Sequence, residues 1–352
     1  MVVLSLFDGI SCGQLALKRA GFNVEAYYAS EIEDSAQMIA LKNFPDTVEI
    51  GDVTKVSFKD GVLMTERGVF NVGKVDVLLG GSPCTDFSFI GYALGMQHEG
   101  VQILTYEHYK SLKDAGAEFT GQSYLFWEYV RLLKEVSPDY FLLENVLMAP
   151  QWEKVITDAL EVMPVRINSS LVSAQNRPRL YWTNIPGVTA PEDKGIKLDD
   201  ILDPDAPTKD VCRSKLIKKA LPKIVTKYGY IPERFNAYNL AEIKYKACAL
   251  SRGSMVTSSC ATLILVQCKR GSHKVVDGIM DDKYPVRLPD GRYNVRRLDF
   301  TEMERLQTLP DGYTNVESIG KQKRSATIGN CWTVDVVAYI LSRINEDTSE
   351  DW

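Results

Sequence analysis

Hydrophobic positions in the first 185 residues alternate between two spacings. The short apolar runs VVLSLF, NVEAYYAS, VDVLLGG and DYFLLEN predict buried strands. Between them lie stretches with helical spacing. CGQLALKRAG is stopped by Gly21, a second run covers Asp34 to Asn43, and SYLFWEYVRLLKEV carries Leu125, Tyr129, Leu132, Leu133 and Val136 on one stripe. RINSSLV and RLYWTN predict two further strands. Repeated strand–helix units predict an α/β domain whose mostly parallel sheet is covered on both faces. The rhythm breaks at Ile185-Pro186-Gly187, and Pro191, Pro204, Pro207, Pro222 and Pro232 punctuate the next stretch of chain. Helical pattern returns at Thr301, where TEME has capping-box form, and at VDVVAYILSRIN. The expected division is a main domain of residues 1–187 and 293–352, with a smaller, irregular domain of residues 188–292 between them. The segment from Gly91 to Gln122 is long, polar and glycine-bearing, which predicts a mobile loop.

Composition narrows the class. The chain has 352 residues, 45% hydrophobic and 25% charged, the balance of an ordinary globular protein. No apolar run reaches the length of a membrane span, and MVVLSLFDG lacks a basic leader, so it predicts a first strand. Seven cysteines without regular spacing argue against a disulfide framework. The absence of a CxxC pair and only three histidines argue against a structural zinc site, so no metal is expected. A reducing, cytoplasmic setting fits this cysteine usage. The net charge of −5 does not suggest nucleic acid, but its distribution does. Residues 211–276 hold thirteen Lys or Arg against Glu233 and Glu242, a local charge of 13 − 2 = +11, which leaves −5 − 11 = −16 for the rest. Such a block is a candidate phosphate-contacting surface.

Candidate chemistry gathers at the ends of the predicted strands. VDVLLGGSPCTDFS, residues 75–88, ends a strand in two glycines and then presents Pro83 and Cys84 at the lip of the sheet. Pro83 fixes one backbone dihedral, and a nucleophile needs such a preset place. FDGISCG, residues 7–13, comes after a strand and opens a helix, with glycines that let a ligand approach the backbone. Glu31 ends the second strand 23 residues beyond Asp8, where α/β folds bind a ribose hydroxyl, and Asp52 ends the third. Each acid alone also fits a surface carboxylate; the series points to a nucleoside-bearing cofactor. Glu144 ends DYFLL, suited to the polar edge of a ring. Arg177 and Arg179 in QNRPR stand two apart, so an extended segment would turn both to one side.

The order of these motifs identifies a likeness. FDGISCG, Glu31, Gly51-Asp52-Val53, GGSPC, ENV, QNRPR, a variable stretch, RRLDFTEMERLQTLPDGY and IGNCWTVDVVAYI together resemble the cytosine-5 DNA methyltransferase family, most closely its bacterial and bacteriophage members. The resemblance implies a Rossmann-like S-adenosylmethionine-dependent methyltransferase fold with a mostly parallel mixed sheet and a smaller target-recognition domain. It implies that Phe7, Asp8, Gly9, Ile10 and Gly13 wrap S-adenosylmethionine, that Glu31 takes the ribose hydroxyls, that Ile32 packs on adenine, and that Asp52 and Val53 meet its edge. Gly81, Pro83, Leu125 and Asn330 would complete the pocket, with S-adenosylhomocysteine as product. Cys84 would be the nucleophile, Glu144 would contact the cytosine ring edge, and one of Arg177 and Arg179 would hold the base carbonyl. DNA contacts would come from Ser88, Arg252, Ser254, Ser259, Lys269 and Arg270. The implied partner is double-stranded DNA, met by a monomer with no obligatory protein partner, in a bacterial or phage-infected cell. Three departures stand out: Cys12 where a glycine or alanine is usual, Pro178 between the arginines, and an insertion from Thr105 to Phe119. Three alternatives stay open on the sequence alone: a tRNA cytosine substrate, a non-catalytic DNA-binding homologue, and transfer of a group larger than methyl.

Overall fold

The computed structural model describes residues 1–83, 96–211, 215–251 and 261–347. The chain forms two compact units. The first contains Met1–Asn168, Pro178–Glu192 and the segment beginning at Val334; the second contains Ser169–Arg177 and Asp193–Thr333.

The first unit is built on a seven-stranded sheet. Its strands are β1 (Val2–Leu6), β2 (Ala26–Ser30), β3 (Val48–Glu49), β4 (Val77–Gly80), β5 (Tyr140–Val146), β6 (Val165–Asn168) and β7 (Pro178–Thr183). Their order across the sheet is β6-β7-β5-β4-β1-β2-β3. The five strands from β5 to β3 in this order run parallel, and β7 is antiparallel to both β5 and β6. This is the mostly parallel mixed sheet expected from the strand–helix rhythm. The chain builds β1, β2 and β3 in one direction, then returns to lay β4 and β5 on the other side of β1. The reversal between β1 and β4 is a topological switch point, the place where open α/β sheets bind ligands beyond their carboxyl ends.

Helix α1 (Cys12–Arg19) packs against the helix Val334–Asp347, with an Arg19–Asp335 ion pair at 2.6 Å. The remaining helices of this unit are α2 (Asp34–Asn43), α3 (Tyr106–Asp114), α4 (Leu125–Val136) and α5 (Pro150–Leu160). Helix α4 buries Tyr129, Leu132 and Val136 of the expected stripe, leaves Leu125 and Leu133 half-buried, and additionally buries Phe126, Trp127 and Val130. The Tyr129 ring lies so close to β4 that a Cβ on Gly80 would stand 2.6 Å from it, so only glycine fits there.

Three local expectations need correction. The described part of the Gly91–Gln122 segment is not a plain loop. It contains a two-residue strand pair, Gln97–His98 with Val101–Gln102, and α3. Thr105 caps α3 by accepting from the His108 amide at 3.2 Å, and Tyr109 and Lys113 both bind the fully buried Glu128 of α4. The polar composition hid a helix whose stability comes from that buried carboxylate. In RINSSLV the strand stops at Asn168, and a 3-10 turn takes over at Ser169–Leu171. The third correction is an omission: residues 57–71 form an antiparallel meander, Ser57–Lys59, Val62–Thr65 and Gly68–Asn71. Asp60 and Gly61 form its first turn with φ of 50° and 77°, and Asp-Gly between alternating residues is a hairpin cue present in the sequence.

The second unit carries more order than its prolines suggest. A six-stranded sheet is formed by β8 (Arg234–Asn236), β9 (Ala241–Glu242), β10 (Leu263–Gln267), β11 (His273–Val276), β12 (Ile279–Met280) and β13 (Gly291–Arg297). Its order is β9-β8-β10-β13-β11-β12, antiparallel throughout. Helices α6 (Leu198–Ile201), α7 (Lys215–Tyr228), α8 (Phe300–Leu306) and α9 (Lys321–Asn330) complete it. Helix α7 runs through Pro222 and buries Ile217, Ala220, Leu221 and Ile224 against Phe235, Leu265 and Val295. The expected boundary at residue 292 falls inside β13, which pairs with β10 and β11, so residues 293–333 group with this unit. The capping box also sits two residues earlier than TEME suggests. Asp299 accepts from the Glu302 amide and Glu302 from the Asp299 amide, each at 2.9 Å, and Glu302 additionally forks onto the buried Arg296. Glu304 instead accepts from the amides of Gly312 and Thr314. Among the described residues, no helix is long and apolar enough to cross a membrane.

Candidate active site

The carboxyl edge of the first sheet collects the candidate residues. β1 ends at Leu6, and the turn beyond it is strained: Phe7, Gly9 and Ser11 have φ of 57°, 63° and 57°. An aromatic residue in the left-handed region is rare and marks a constrained site. Asp8 holds the turn. Its carboxylate accepts from the hydroxyls of Ser5, Ser11 and Tyr27 at 2.6, 2.5 and 2.6 Å. Burial pushes the Asp8 carboxyl above the usual range, and the hydroxyl donors pull it back. Asp8 therefore ties the β1–α1 turn to β2, and its carboxylate is already filled by protein partners. Ile10 is 1% exposed and packs inward, as do Cys12 and Gly13.

Beyond β2, Glu31 is turned back over this turn. It accepts from the backbone amides of Gly9, Ile32 and Glu33 at 2.9, 2.7 and 2.8 Å. Burial raises the Glu31 carboxyl, and those amides oppose the rise. Above Gly9 the space is open, since a Cβ there would meet nothing within 4 Å. Ile32 comes next with its side chain 73% exposed, an apolar surface beside a carboxylate. Beyond β3, Asp52 caps a short 3-10 turn through Oδ1, which accepts from the Thr54 amide and hydroxyl at 2.9 Å each. Val53 is buried beneath it. Gly81 and Pro83 leave the end of β4, and Leu125 opens α4. Asn330 belongs to the second unit, where it ends α9, exposed.

Glu144 lies on β5 and Arg179 on the adjacent β7, where the register sets Val146 opposite Arg179. Glu144 and Val146 share a face, so the two side chains meet diagonally: Arg179 Nε stands 2.9 Å from Glu144 Oε1. Arg177 behaves differently, against the expectation of two arginines on one side. Its guanidinium donates to the carbonyl oxygens of Leu250, Gly329 and Cys331 within the second unit. The strand is interrupted at Arg177, which lies between the short strand Gln175–Asn176 and β7, so alternation along it does not apply. Cys84, Ser88, Arg252, Ser254 and Ser259 lie outside the described residues. Lys269 and Arg270 are exposed on the turn between β10 and β11.

Several contributors carry no motif that sequence reasoning would single out. Asn145, next to Glu144, donates from its side chain to the carbonyl and hydroxyl of Ser82 at 3.3 and 3.1 Å, fixing the backbone that leads into Pro83. Gln37 donates to the Glu31 carbonyl and accepts from Arg67, while Glu66 accepts from the Asp52 amide at 3.0 Å. Glu49 is the least expected. Among the described residues neither of its carboxylate oxygens has a hydrogen-bond partner. Burial pushes it up to about 8, helped by the charges of Asp8 and Glu31 and opposed by Arg67. Its ordinary value is 4.5, so folding is fully favoured below that pH and loses stability as pH rises through the folded value. Glu49→Gln, neutral at every pH, is therefore expected to leave Tm unchanged near pH 4.5 and to raise it by a few degrees at pH 8, solvent screening having reduced the full effect. Thermal melts at the two pH values check this; an equal gain at both would contradict it.

Comparison with known proteins identifies the family. A family model described as C-5 cytosine-specific DNA methylase matches residues 1–346. The orphan methyltransferase M.SPRI of Bacillus phage SPR is 30% identical over 196 residues, 52% of this chain and 37% of that protein. The type II methyltransferase M.NgoBV of Neisseria gonorrhoeae is 27% identical over 246 residues, 62% of this chain and 50% of that protein. The matched stretch thus spans half or less of each of these relatives. Among solved structures, the methyltransferase EhMeth of Entamoeba histolytica has a TM-score of 0.62 at 12% identity, covering 99% of this chain and 98% of that one, a likeness of fold.

Proposed function

The chain belongs to the C-5 cytosine-specific DNA methylase family, and from that premise we propose that it methylates carbon 5 of a cytosine flipped out of duplex DNA, through a covalent adduct of Cys84 at carbon 6. The observation that carries the reading is the Glu144–Arg179 pair, set on the sheet edge from which Pro83 leads into Cys84. The Cys84 thiolate adds to carbon 6 and turns the ring into an enamine, nucleophilic at carbon 5. Glu144 meets ring nitrogen 3 and the exocyclic amino group, and a proton from its carboxyl offsets the charge that the addition creates. Arg179 aligns Glu144 and reaches the base carbonyl. Arg177, bound to three backbone carbonyls, serves as a strut. Once carbon 5 has taken up the methyl group, loss of its proton to a base and departure of the Cys84 thiolate restore the aromatic ring. Extrusion of the base costs a few kcal/mol, met by contacts in the pocket.

The residues at the same edge fit S-adenosylmethionine, which when bound supplies a methyl group on a positively charged sulfur. Glu31 is held by three amides at the position suited to ribose hydroxyls. Ile32 offers exposed apolar surface for adenine, and Asp52 keeps Oδ2 for its amino group. Asp8, Glu31 and Glu49 act electrostatically on one another, a cluster of carboxyl groups suited to a cationic ligand. Phe7, Gly9, Gly81 and Leu125 shape the pocket. The second unit carries the target-recognition region, where Lys269 and Arg270 on the β10–β11 turn meet DNA.

Incubation of the protein with S-adenosylmethionine carrying a labelled methyl group, in the presence of both unmethylated duplex DNA and tRNA, tests the reading. Label is expected in cytosines of the duplex. Label in tRNA alone would replace the DNA substrate with RNA.

A further inference from the structure

We infer that the outward face of α7 is a phosphate-contacting surface that holds the backbone of duplex DNA without reading its sequence. The inference rests on the DNA substrate proposed above. Helix α7 has one face fixed: Ile217, Ala220, Leu221 and Ile224 are buried in the core of the second unit. The opposite face is therefore held outward, and Lys215, Lys218, Lys219, Lys223 and Lys227 are all exposed on it. Lys215, Lys219, Lys223 and Lys227 succeed one another at intervals of four, a single row along the helix.

A helix face that only keeps a protein in solution mixes its charges, because acid–base pairs four apart stabilise it and like pairs destabilise it. Helix α7 carries no acidic residue at all and sets three like pairs in succession: Lys215 with Lys219, Lys219 with Lys223, and Lys223 with Lys227. Lys215 and Lys218 also stand in the first turn, where the positive end of the helix dipole repels them. Among the described residues no acid forms an ion pair with the row, and the nearby acids have other partners. Glu233 lies 3.7 Å from Arg234, Glu242 accepts from Tyr230, and Asp210 accepts from Ser272. Lys227 is engaged, donating to the Leu240 carbonyl at 3.0 Å with its ammonium over the Tyr228 ring. Lys215, Lys218, Lys219 and Lys223 remain without an acidic partner among the described residues. Such a row is unfavourable in the isolated protein and is relieved by a polyanion. A nucleic-acid backbone supplies such a polyanion, with one phosphate per roughly 3.4 Å of helix axis on each strand, denser than the about 6 Å rise between lysines four apart.

The test uses the full chain and a short duplex of arbitrary sequence, with binding measured across a salt series. Replacing Lys215, Lys219 and Lys223 together by glutamine is expected to flatten the slope of log affinity against log salt by about 0.9 for each lost contact. Affinity should fall alike for every duplex, and the set of methylated sites should stay the same. A folded triple variant with the wild-type slope would overturn the inference. Lys219→Glu separates this surface from a solvating one. It pairs with Lys215 and Lys223, so Tm should rise by about 1–2 °C while DNA affinity drops. A variant that keeps its DNA affinity would overturn the inference and leave the methyltransferase reading standing. A wild-type protein that binds and methylates tRNA but no duplex would instead overturn that reading, and the duplex assignment of α7 with it.

Discussion

Cys84→Ser is expected to abolish methyl transfer while leaving cofactor and DNA binding intact. Residue 84 comes after a rigid approach. β4 is buried throughout, Gly80 is pressed against Tyr129, and Ser82 is held by Asn145 before Pro83 fixes the next dihedral. A serine would thus share the same approach, and the comparison is one of chemistry. A thiol with a pKa of about 8.5 supplies some thiolate at neutral pH, and its environment can lower that value further. A serine hydroxyl supplies almost no alkoxide and has no base beside it that the family likeness implies. The loss should be roughly 1000-fold or more, the scale on which an activated nucleophile matters. Single-turnover methyl transfer and calorimetric binding of S-adenosylhomocysteine measure the two halves of the expectation. A serine variant with full activity would remove the covalent step.

Glu144→Gln should reduce turnover by roughly 100- to 1000-fold, or about 2.7–4 kcal/mol, the cost of removing one group that stabilises developing charge. The amide oxygen of glutamine can still accept from Arg179 Nε, so the diagonal contact between β5 and β7 survives the change. Glutamine can also still accept from the cytosine amino group. It cannot release a proton to ring nitrogen 3. The defect should therefore fall on kcat, with little change in affinity for cofactor or DNA. A variant within about twofold of wild type would reduce Glu144 to a packing role.

The legible part of the sequence is local. β1, β2, β4 and β5 are apolar runs that end in polar or glycine residues, and their alternation with helices gives the parallel sheet. Glu31, Asp52, Pro83 and Glu144 stand directly beyond or near the ends of such runs, so their common edge comes from the topology. The illegible part depends on partners far away in the chain. Arg177 and Arg179 look equivalent in QNRPR, yet Arg177 is claimed by carbonyls 73 to 154 residues away and Arg179 by Glu144. Asp8 reads as a ligand contact, and its carboxylate is filled by Ser5, Ser11 and Tyr27. Helix α3 depends on Glu128 of α4, and the second sheet is assembled from strands of two to seven residues whose pairing no local pattern encodes. TEME offers a capping box two residues later than the one that forms: Glu302 reaches back to the Asp299 amide and Arg296, while Glu304, equally buried, is taken by the Gly312 and Thr314 amides.

The proposed activity is transfer of methyl groups to carbon 5 of cytosine in DNA. Bisulfite sequencing of host DNA after expression, with the Cys84→Ser variant as control, tests it directly. The expected result is protected cytosines at one recurring short sequence with the wild-type protein and none with the variant. Full conversion of cytosines in DNA from cells making folded wild-type protein would contradict it.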